Sequence, residues 1–175
     1  MITNLLLEHP WLCPSLLAAM VALGPLVGPW LLDRPAAAWG LAGLSLAPVA
    51  ALTLTPVGVL TNRGCTLQWA LPTFGRVELL ANVVLFVAPV FLTAIALRRP
   101  LVALALGSGL SAALEAVQAF LPGRACDTND WLNNSIGAGI GAGLAFIVLR
   151  AAHVRRGREG RGSSPALVPG RHPAL

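Results

Sequence analysis

Acidic and amide side chains recur at helical spacing within apolar stretches of the second half of the chain. Glu115 and Gln118 share one helical face with Gly107 and Ser111, because these four positions fall within an arc of about 80° at 100° per residue. Carboxylates beside an arginine could perform acid–base chemistry or hold a phosphate or a lipid head group. The candidate site residues are Glu78, Asn82, Glu115, Gln118, Arg124, Asp127, Asp130 and Asn134.

A second small and polar face follows further along the chain. Asp130, Asn134, Gly137 and Gly141 fall within an arc of about 60°, and a second Gly-x-x-x-Gly pair overlaps them. Small residues let helix backbones approach closely in a membrane. The glycines expected to pack against another helix are therefore Gly137, Gly139, Gly141 and Gly143.

Structural roles compete with chemical ones for several of these residues. Glu115 and Gln118 could form a hydrogen-bonded clamp between helices, and Glu78 could simply be solvated. Asp127 with Asp130 three residues later resembles a capping box at the start of a helix. The sequence leaves these alternatives open.

The sequence offers no activated nucleophile and no metal-ligand spacing. Its three histidines lie near the termini, and its cysteines form no Cys-x-x-Cys pair, so we expect neither a metal nor a cofactor. Cys65 and Cys126 could form a disulfide in an oxidising exterior. The preferred expectation is that these two and Cys13 are unpaired thiols.

The composition predicts an all-α, polytopic integral membrane bundle. Apolar residues make up 56% of the 175 and charged residues only 11%, which excludes an ordinary soluble enzyme and a disordered regulator. A bilayer core about 30 Å thick requires roughly 20 helical residues per crossing. Five spans are predicted, at residues 14–32, 36–60, 77–97, 101–121 and 130–150.

These spans suggest four regions. Residues 1–60 hold two N-terminal transmembrane helices, 61–75 an extracytoplasmic loop, and 76–150 the core that carries the polar residues. Residues 151–175, rich in arginine, glycine, serine and proline, are predicted to be a disordered cytoplasmic tail. No aromatic residues alternate with these arginines, so we expect no nucleic-acid partner.

The distribution of arginine predicts the orientation. Nine of the twelve arginines lie on one side if the amino terminus is outside and the carboxyl terminus inside. Counted from the outer ends of their helices, Asn82, Glu115 and Asn134 then lie at similar depth, about 6–9 Å in. We expect them to converge in one outward-facing pocket, with Arg124 paired to Glu115 or Asp127.

The core resembles the VanZ-like family of small membrane proteins. The resemblance rests on Asn82-Val-Val-Leu-Phe86 and on Ser111-x-x-x-Glu115-x-x-Gln118, followed by Pro122-Gly123-Arg124-x-x-Asp127-x-x-Asp130-x-x-x-Asn134, within residues 76–149. One departure is Pro89, which lies one residue later than in the family pattern. The resemblance implies a bacterial plasma membrane location and a role at the cell surface connected with glycopeptide resistance.

Two hypotheses follow from these observations. The chain is either a membrane protein that binds an amphiphilic ligand, a glycopeptide antibiotic or a cell-wall lipid, and alters antibiotic susceptibility, or a membrane enzyme with Glu115 and Asp130 as acid and base. The absence of a nucleophile and of a histidine within the spans favours the first. Transport is a distant third, since no internal repeat is evident.

Overall fold

The computed structural model of the protein describes residues 8–55, 65–67, 69–73, 76–124 and 126–162. In this part of the chain five helices are long and apolar enough to cross a membrane, which confirms the predicted all-α membrane bundle. The helices are α1 (Leu12–Leu32), α2 (Pro35–Leu54), α3 (Val77–Leu97), α4 (Pro100–Gln118) and α5 (Thr128–Gly162), and two short strands are β1 (Cys65–Thr66) and β2 (Cys126–Asp127).

The helix boundaries agree best with the predicted spans where arginine or proline residues flank the apolar stretch. α3 has the predicted bounds, and α2 and α4 each begin with a proline in the first helical turn, where the missing N–H costs nothing. α4 ends three residues earlier than predicted. α2 ends at Leu54, because Thr55 is extended, and residues 56–60 of its predicted span lie outside the described residues.

The fifth helix is much longer than its predicted span. It continues to Gly162, so the prediction of disorder is wrong for residues 151–162; residues 163–175 lie outside the described residues. Hydropathy marks where the membrane ends and not where a helix ends. The alanines and arginines after residue 150 favour helix, and extending an existing helix avoids the cost of nucleation.

The bundle is organised around α3, which contacts the other four helices. Phe86, Val83 and Ile95 of α3 are each at most 1% exposed. α1 and α2 both pack on α3, and α1 also contacts α5, but α1 and α2 make few contacts with each other.

Two glycines allow α5 to contact the α3 backbone. A Cβ on Gly137 would collide with the carbonyl group of Val83, and one on Gly141 would collide with the Val87 carbonyl oxygen and lie 2.9 Å from the Phe91 nitrogen. The packing prediction is wrong for Gly139 and Gly143, around which a Cβ would meet nothing within 4 Å. These two glycines lie on a different side of α5.

Of the arginines predicted to share one side, those in the described part of the chain lie at one end of the bundle. Arg98, after α3, donates from Nη2 to the Leu32 carbonyl at 3.0 Å, which brings together the two interhelical turns at this end. Arg156 of the α5 extension lies 3.8 Å from the Asp33 carboxylate. The strand pair lies at the opposite end, where β2 leads into α5.

Candidate functional site

The polar faces of α4 and α5 meet in antiparallel register. The hydroxyls of Ser108 and Ser135 are 2.9 Å apart, and Asn134 donates from Nδ2 to Ser111 Oγ at 2.9 Å. One turn after Ser111 on α4 and one turn before Asn134 on α5, this register places Glu115 opposite Asp130.

The polar face of α3 joins this interface through Asn82. Its Nδ2 donates to Asp130 Oδ1 at 2.6 Å. The close approach of α3 and α5 at Gly137, two turns further along α5, lets this short side chain span the gap. Glu78, one turn before Asn82, is exposed.

Glu115 is buried, at 6% exposure, and holds the segment that leads into α5. Its Oε2 accepts a hydrogen bond from the backbone N–H of Asp127 at 2.9 Å. Asp127 in turn accepts from the N–H of Asn129 at 2.9 Å, as an N-terminal helix cap does. The capping interpretation of Asp127 therefore has structural support.

Arg124 contacts α2 instead of a carboxylate, so the prediction that it pairs with Glu115 or Asp127 is wrong. Its guanidinium donates to the Thr55 carbonyl at 3.1 Å and also to the Leu52 carbonyl. Helix C-termini leave carbonyls without intrahelical partners, and a planar guanidinium can satisfy two at once. A Pro-Gly turn directs the chain here, with Gly123 at φ 72° and the Arg124 N–H bonded to the Leu121 carbonyl at 3.2 Å.

Gln118 contacts the same helix end. Its Nε2 donates to the Thr53 carbonyl at 2.9 Å. Gln118 and Arg124 thus contact α2 through its backbone carbonyls. In contrast, the hydrogen bonds described above for five other residues lie among α3, α4, α5 and β2; these residues are Asn82, Glu115, Asp127, Asp130 and Asn134. We call these five residues the polar cluster.

A disulfide fastens the segment after α2 to the start of α5. Cys65 and Cys126 are bonded, with a Cα–Cα distance of 4.4 Å, and β1 pairs with β2 in parallel. The preferred expectation of unpaired thiols is therefore wrong for these two residues, whereas Cys13 is free and buried. The pairing joins positions 61 residues apart, so only the folded bundle brings them together.

Two asparagines that the sequence reasoning missed complete the anchoring of this segment. Asn129 accepts the Ala70 N–H on Oδ1 at 2.9 Å, and Asn133 donates to the Asn129 carbonyl at 2.7 Å and to the Ala70 carbonyl at 3.5 Å. Both are buried. The sequence signal that could have identified them is their spacing of four residues, which places two amides on one face of an apolar helix.

Hydrogen-bond acceptors are in excess around the polar cluster. Among the described residues, no arginine or histidine lies within 4 Å of the Glu115, Asp127 or Asp130 carboxylates, and the ion pair of Arg156 with Asp33 is at the other end of the bundle. The buried amide oxygens of Gln118, Asn133 and Asn134 also have no hydrogen-bond partner in the described structure. In the same residues, no group of three His, Cys, Asp or Glu side chains could hold a metal ion. The arrangement suits a ligand or waters that donate hydrogen bonds.

Five apolar helices with a polar cluster at one end define a small polytopic membrane protein. The model of the VanZ/LLP1 family matches residues 18–149, about three quarters of the chain, so the chain belongs to this family. The match extends the resemblance from the core into α1 and α2. No curated protein and no solved structure is significantly similar to it.

Proposed function

We propose that this VanZ-family membrane protein binds an amphiphilic ligand of the cell surface, a glycopeptide antibiotic or a cell-wall lipid, at the polar cluster, and thereby alters antibiotic susceptibility. The observation that carries the proposal is the group of carboxylates without a cation within 4 Å in the described structure. Ionisable side chains within membrane spans are costly and are typically retained for function.

The chemistry of the cluster favours a ligand that donates hydrogen bonds. Within the described part of the chain, the carboxylates of Glu115 and Asp130 each accept one side-chain or backbone hydrogen bond, and a carboxylate can accept about four. Peptides and sugars carry amide N–H and hydroxyl groups, which could donate the remaining hydrogen bonds to these carboxylates. Arg124 does not act as the anion-binding group in this proposal, because α2 carbonyls occupy its guanidinium.

The proposed orientation places the cluster at the outer surface of a bacterial plasma membrane, with the amino terminus outside and the carboxyl terminus inside. Two independent features support it. The arginine-rich turns lie at the opposite end of the bundle, as the positive-inside rule requires. The disulfide lies at the cluster end, and disulfides persist in oxidising compartments.

Complementation of a deletion strain tests the proposal. We expect Glu115→Gln and Asp130→Asn to leave abundance unchanged but to return glycopeptide susceptibility to that of the deletion strain. Glu8→Gln, which removes an exposed carboxylate near the start of α1, is the matched control and should complement.

Other outcomes are equally informative. Loss of abundance together with activity would show that Glu115 is only a structural clamp. Wild-type susceptibility in both variants would refute ligand binding at the cluster. The alternative function, a membrane enzyme, is suggested by the position of Glu115 opposite Asp130, which could act as acid and base. It would be supported if the purified protein chemically altered a lipid-linked or surface substrate.

A further inference from the structure

A cleft lies between the end of α1 and the extension of α5, at the arginine-rich end of the bundle. It is lined by the last turns of α1 and by one side of α5 from Ile147 to Glu159. Its volume is about 260 Å³, close to the lower end of small-molecule sites, which is about 300 Å³. The cleft therefore suits a compact group, such as a head group, and not a whole lipid molecule.

The cleft exists because α1 and α5 contact each other on both sides of it along their axes. Towards the membrane interior, a Cβ on Gly28 would lie 2.7 Å from a methyl group of Val148, so the two helices pack closely there. Towards the helix ends, Arg156 lies 3.8 Å from the Asp33 carboxylate. Between these two contacts α5 carries Ala151, whose small side chain leaves the space unfilled.

The lining of the cleft changes from apolar to charged along α5. Ile147 and Ala151 come first, and Arg155 follows one turn later on the same side of the helix. Arg155 lies about 7.5 Å beyond the predicted end of the span at residue 150. The polar layer on each side of a bilayer is about 5–8 Å thick, since the whole membrane measures about 40–45 Å and its core about 30 Å. This places the arginines of the cleft close to the depth of the lipid phosphates.

Two arginines of the cleft can hold an anion. Within the described part of the chain, Arg155 has no carboxylate within 4 Å of its guanidinium, and its side chain is exposed. Arg156 pairs with Asp33, and these side chains are 64% and 76% exposed. Because such exposed ion pairs contribute little, Arg156 can exchange its partner for a phosphate. A planar guanidinium binds phosphate through two parallel hydrogen bonds.

The charge around the cleft selects the kind of head group. Positive charge prevails at this end of the bundle, where the described charged residues are Asp33, Arg34, Arg98, Arg99, the arginines from Arg150 to Arg158, and Glu159. A zwitterionic lipid carries an ammonium group beside its phosphate, and the arginines would repel it. An anionic head group gains the attraction without that repulsion. Basic pockets between transmembrane helices on the cytoplasmic side bind anionic head groups in this way.

We propose that the cleft binds the phosphate of an anionic membrane phospholipid, with Arg155 and Arg156 as the residues that contact it. The glycerol part of the lipid lies against Ala151, between the two contacts of α1 with α5. This inference is independent of the proposed function, because the cleft and the polar cluster lie at opposite ends of the bundle.

Native mass spectrometry of the full chain in a non-ionic detergent tests the inference. Phosphatidylglycerol is the anionic probe, phosphatidylcholine with the same acyl chains is the zwitterionic one, and each is titrated to obtain its Kd. We expect the wild-type protein to bind phosphatidylglycerol more tightly. Arg155→Ala and Arg156→Ala should each weaken that binding about fivefold, the usual loss for one basic residue beside an anionic lipid. Neither variant should change the affinity for phosphatidylcholine.

Matched controls separate the cleft from the general charge of this end. Arg99→Ala removes the same charge from an exposed position outside the cleft and should bind phosphatidylglycerol as the wild type does. Ala151→Phe fills the cleft without altering its charge and should weaken the binding. Gly157→Phe, on another side of α5 where a Cβ meets nothing within 4 Å, should not. If the melting temperature shows that Ala151→Phe is not folded, Arg155→Ala at its exposed position carries the test.

Three results would overturn the inference. Equal affinities of the wild-type protein for the two lipids would mean that charge does not select the head group. An equal loss of binding in Arg99→Ala and Arg155→Ala would mean that phosphatidylglycerol responds to the overall charge and has no site in the cleft. Displacement of phosphatidylglycerol by inorganic phosphate at equal concentration would assign the cleft to free phosphate instead of a lipid.

Discussion

Gly137 lies where a side chain would collide with the α3 backbone, so its size determines how closely α3 and α5 approach. A Cβ would overlap the Val83 carbonyl oxygen, a rigid backbone atom. We expect Gly137→Ala to destabilise the protein by about 1–3 kcal/mol, the usual cost of overpacking, as measured by thermal unfolding in detergent. Gly139→Ala, with nothing within 4 Å of the added carbon, should not lower stability. Equal melting temperatures for the two variants would contradict this account of the helix contact.

Arg124 is predicted to act as a structural tie between α2 and the core. Arg124→Ala removes two charge-assisted hydrogen bonds to α2 carbonyls, each worth about 1.5–3 kcal/mol. We expect a clear fall in melting temperature and faster proteolysis near the end of α2. Arg76→Ala, which removes an exposed arginine beside the start of α3, is the matched control. An unchanged melting temperature for Arg124→Ala would mean that α2 is held by other contacts.

Much of the candidate site was predictable at this scale, because helical periodicity determines which side chains share a face. Ser111 contacts Asn134, and Asn82 contacts Asp130, because the polar faces of their helices turn away from lipid and towards one another. The partner of Arg124 was not predictable. Its partners are backbone carbonyls at the end of α2. Since every residue has a backbone carbonyl, the amino-acid types do not show which carbonyl an arginine will contact.

At the scale of elements, the disulfide is the contact that fixes the segment between α2 and α3 over the start of α5. Closing a loop of 61 residues by a disulfide removes about 4 kcal/mol of chain entropy from the unfolded state. We expect Cys65→Ser to lower stability by a few kcal/mol, measured by unfolding without reductant. Cys13→Ser, at the free cysteine, is the control.

Thiol labelling gives a second readout of the same disulfide. In the wild-type protein Cys126 should react with a water-soluble maleimide only after reduction, and in Cys65→Ser it should react directly. Direct labelling of Cys126 in the unreduced wild type would show that the disulfide does not form in the cell.

The elements differ in how far their sequence determines them. α3 has its predicted bounds because Arg76 precedes, and Arg98 follows, a predominantly apolar stretch. The β1–β2 pairing is two residues long and depends on the packing of four helices, so no local pattern signals it. The extension of α5 likewise reflects continuation of an existing helix.

At the scale of the whole molecule, the N-terminal helices pack on the core, and α2 is also hydrogen-bonded to it. α2 provides the carbonyls that accept hydrogen bonds from Gln118 and Arg124. The family match from residue 18 includes these helices. Deleting α1 and α2 would therefore be expected to expose the apolar surface of α3, and not to yield a smaller functional core.

The orientation of the molecule gives the last prediction. Arg34, Arg98 and the arginines of α5 from Arg150 to Arg158 lie at one end of the bundle, where Arg98 donates to the Leu32 carbonyl and Arg156 lies beside Asp33. Because arginine-rich ends are retained in the cytoplasm, a green fluorescent protein fused after Leu175 should fluoresce, and alkaline phosphatase at the same point should be inactive. The reciprocal result, an active phosphatase and a dark fluorescent protein, would place the polar cluster in the cytoplasm. It would thereby exclude an encounter with ligands from outside the cell.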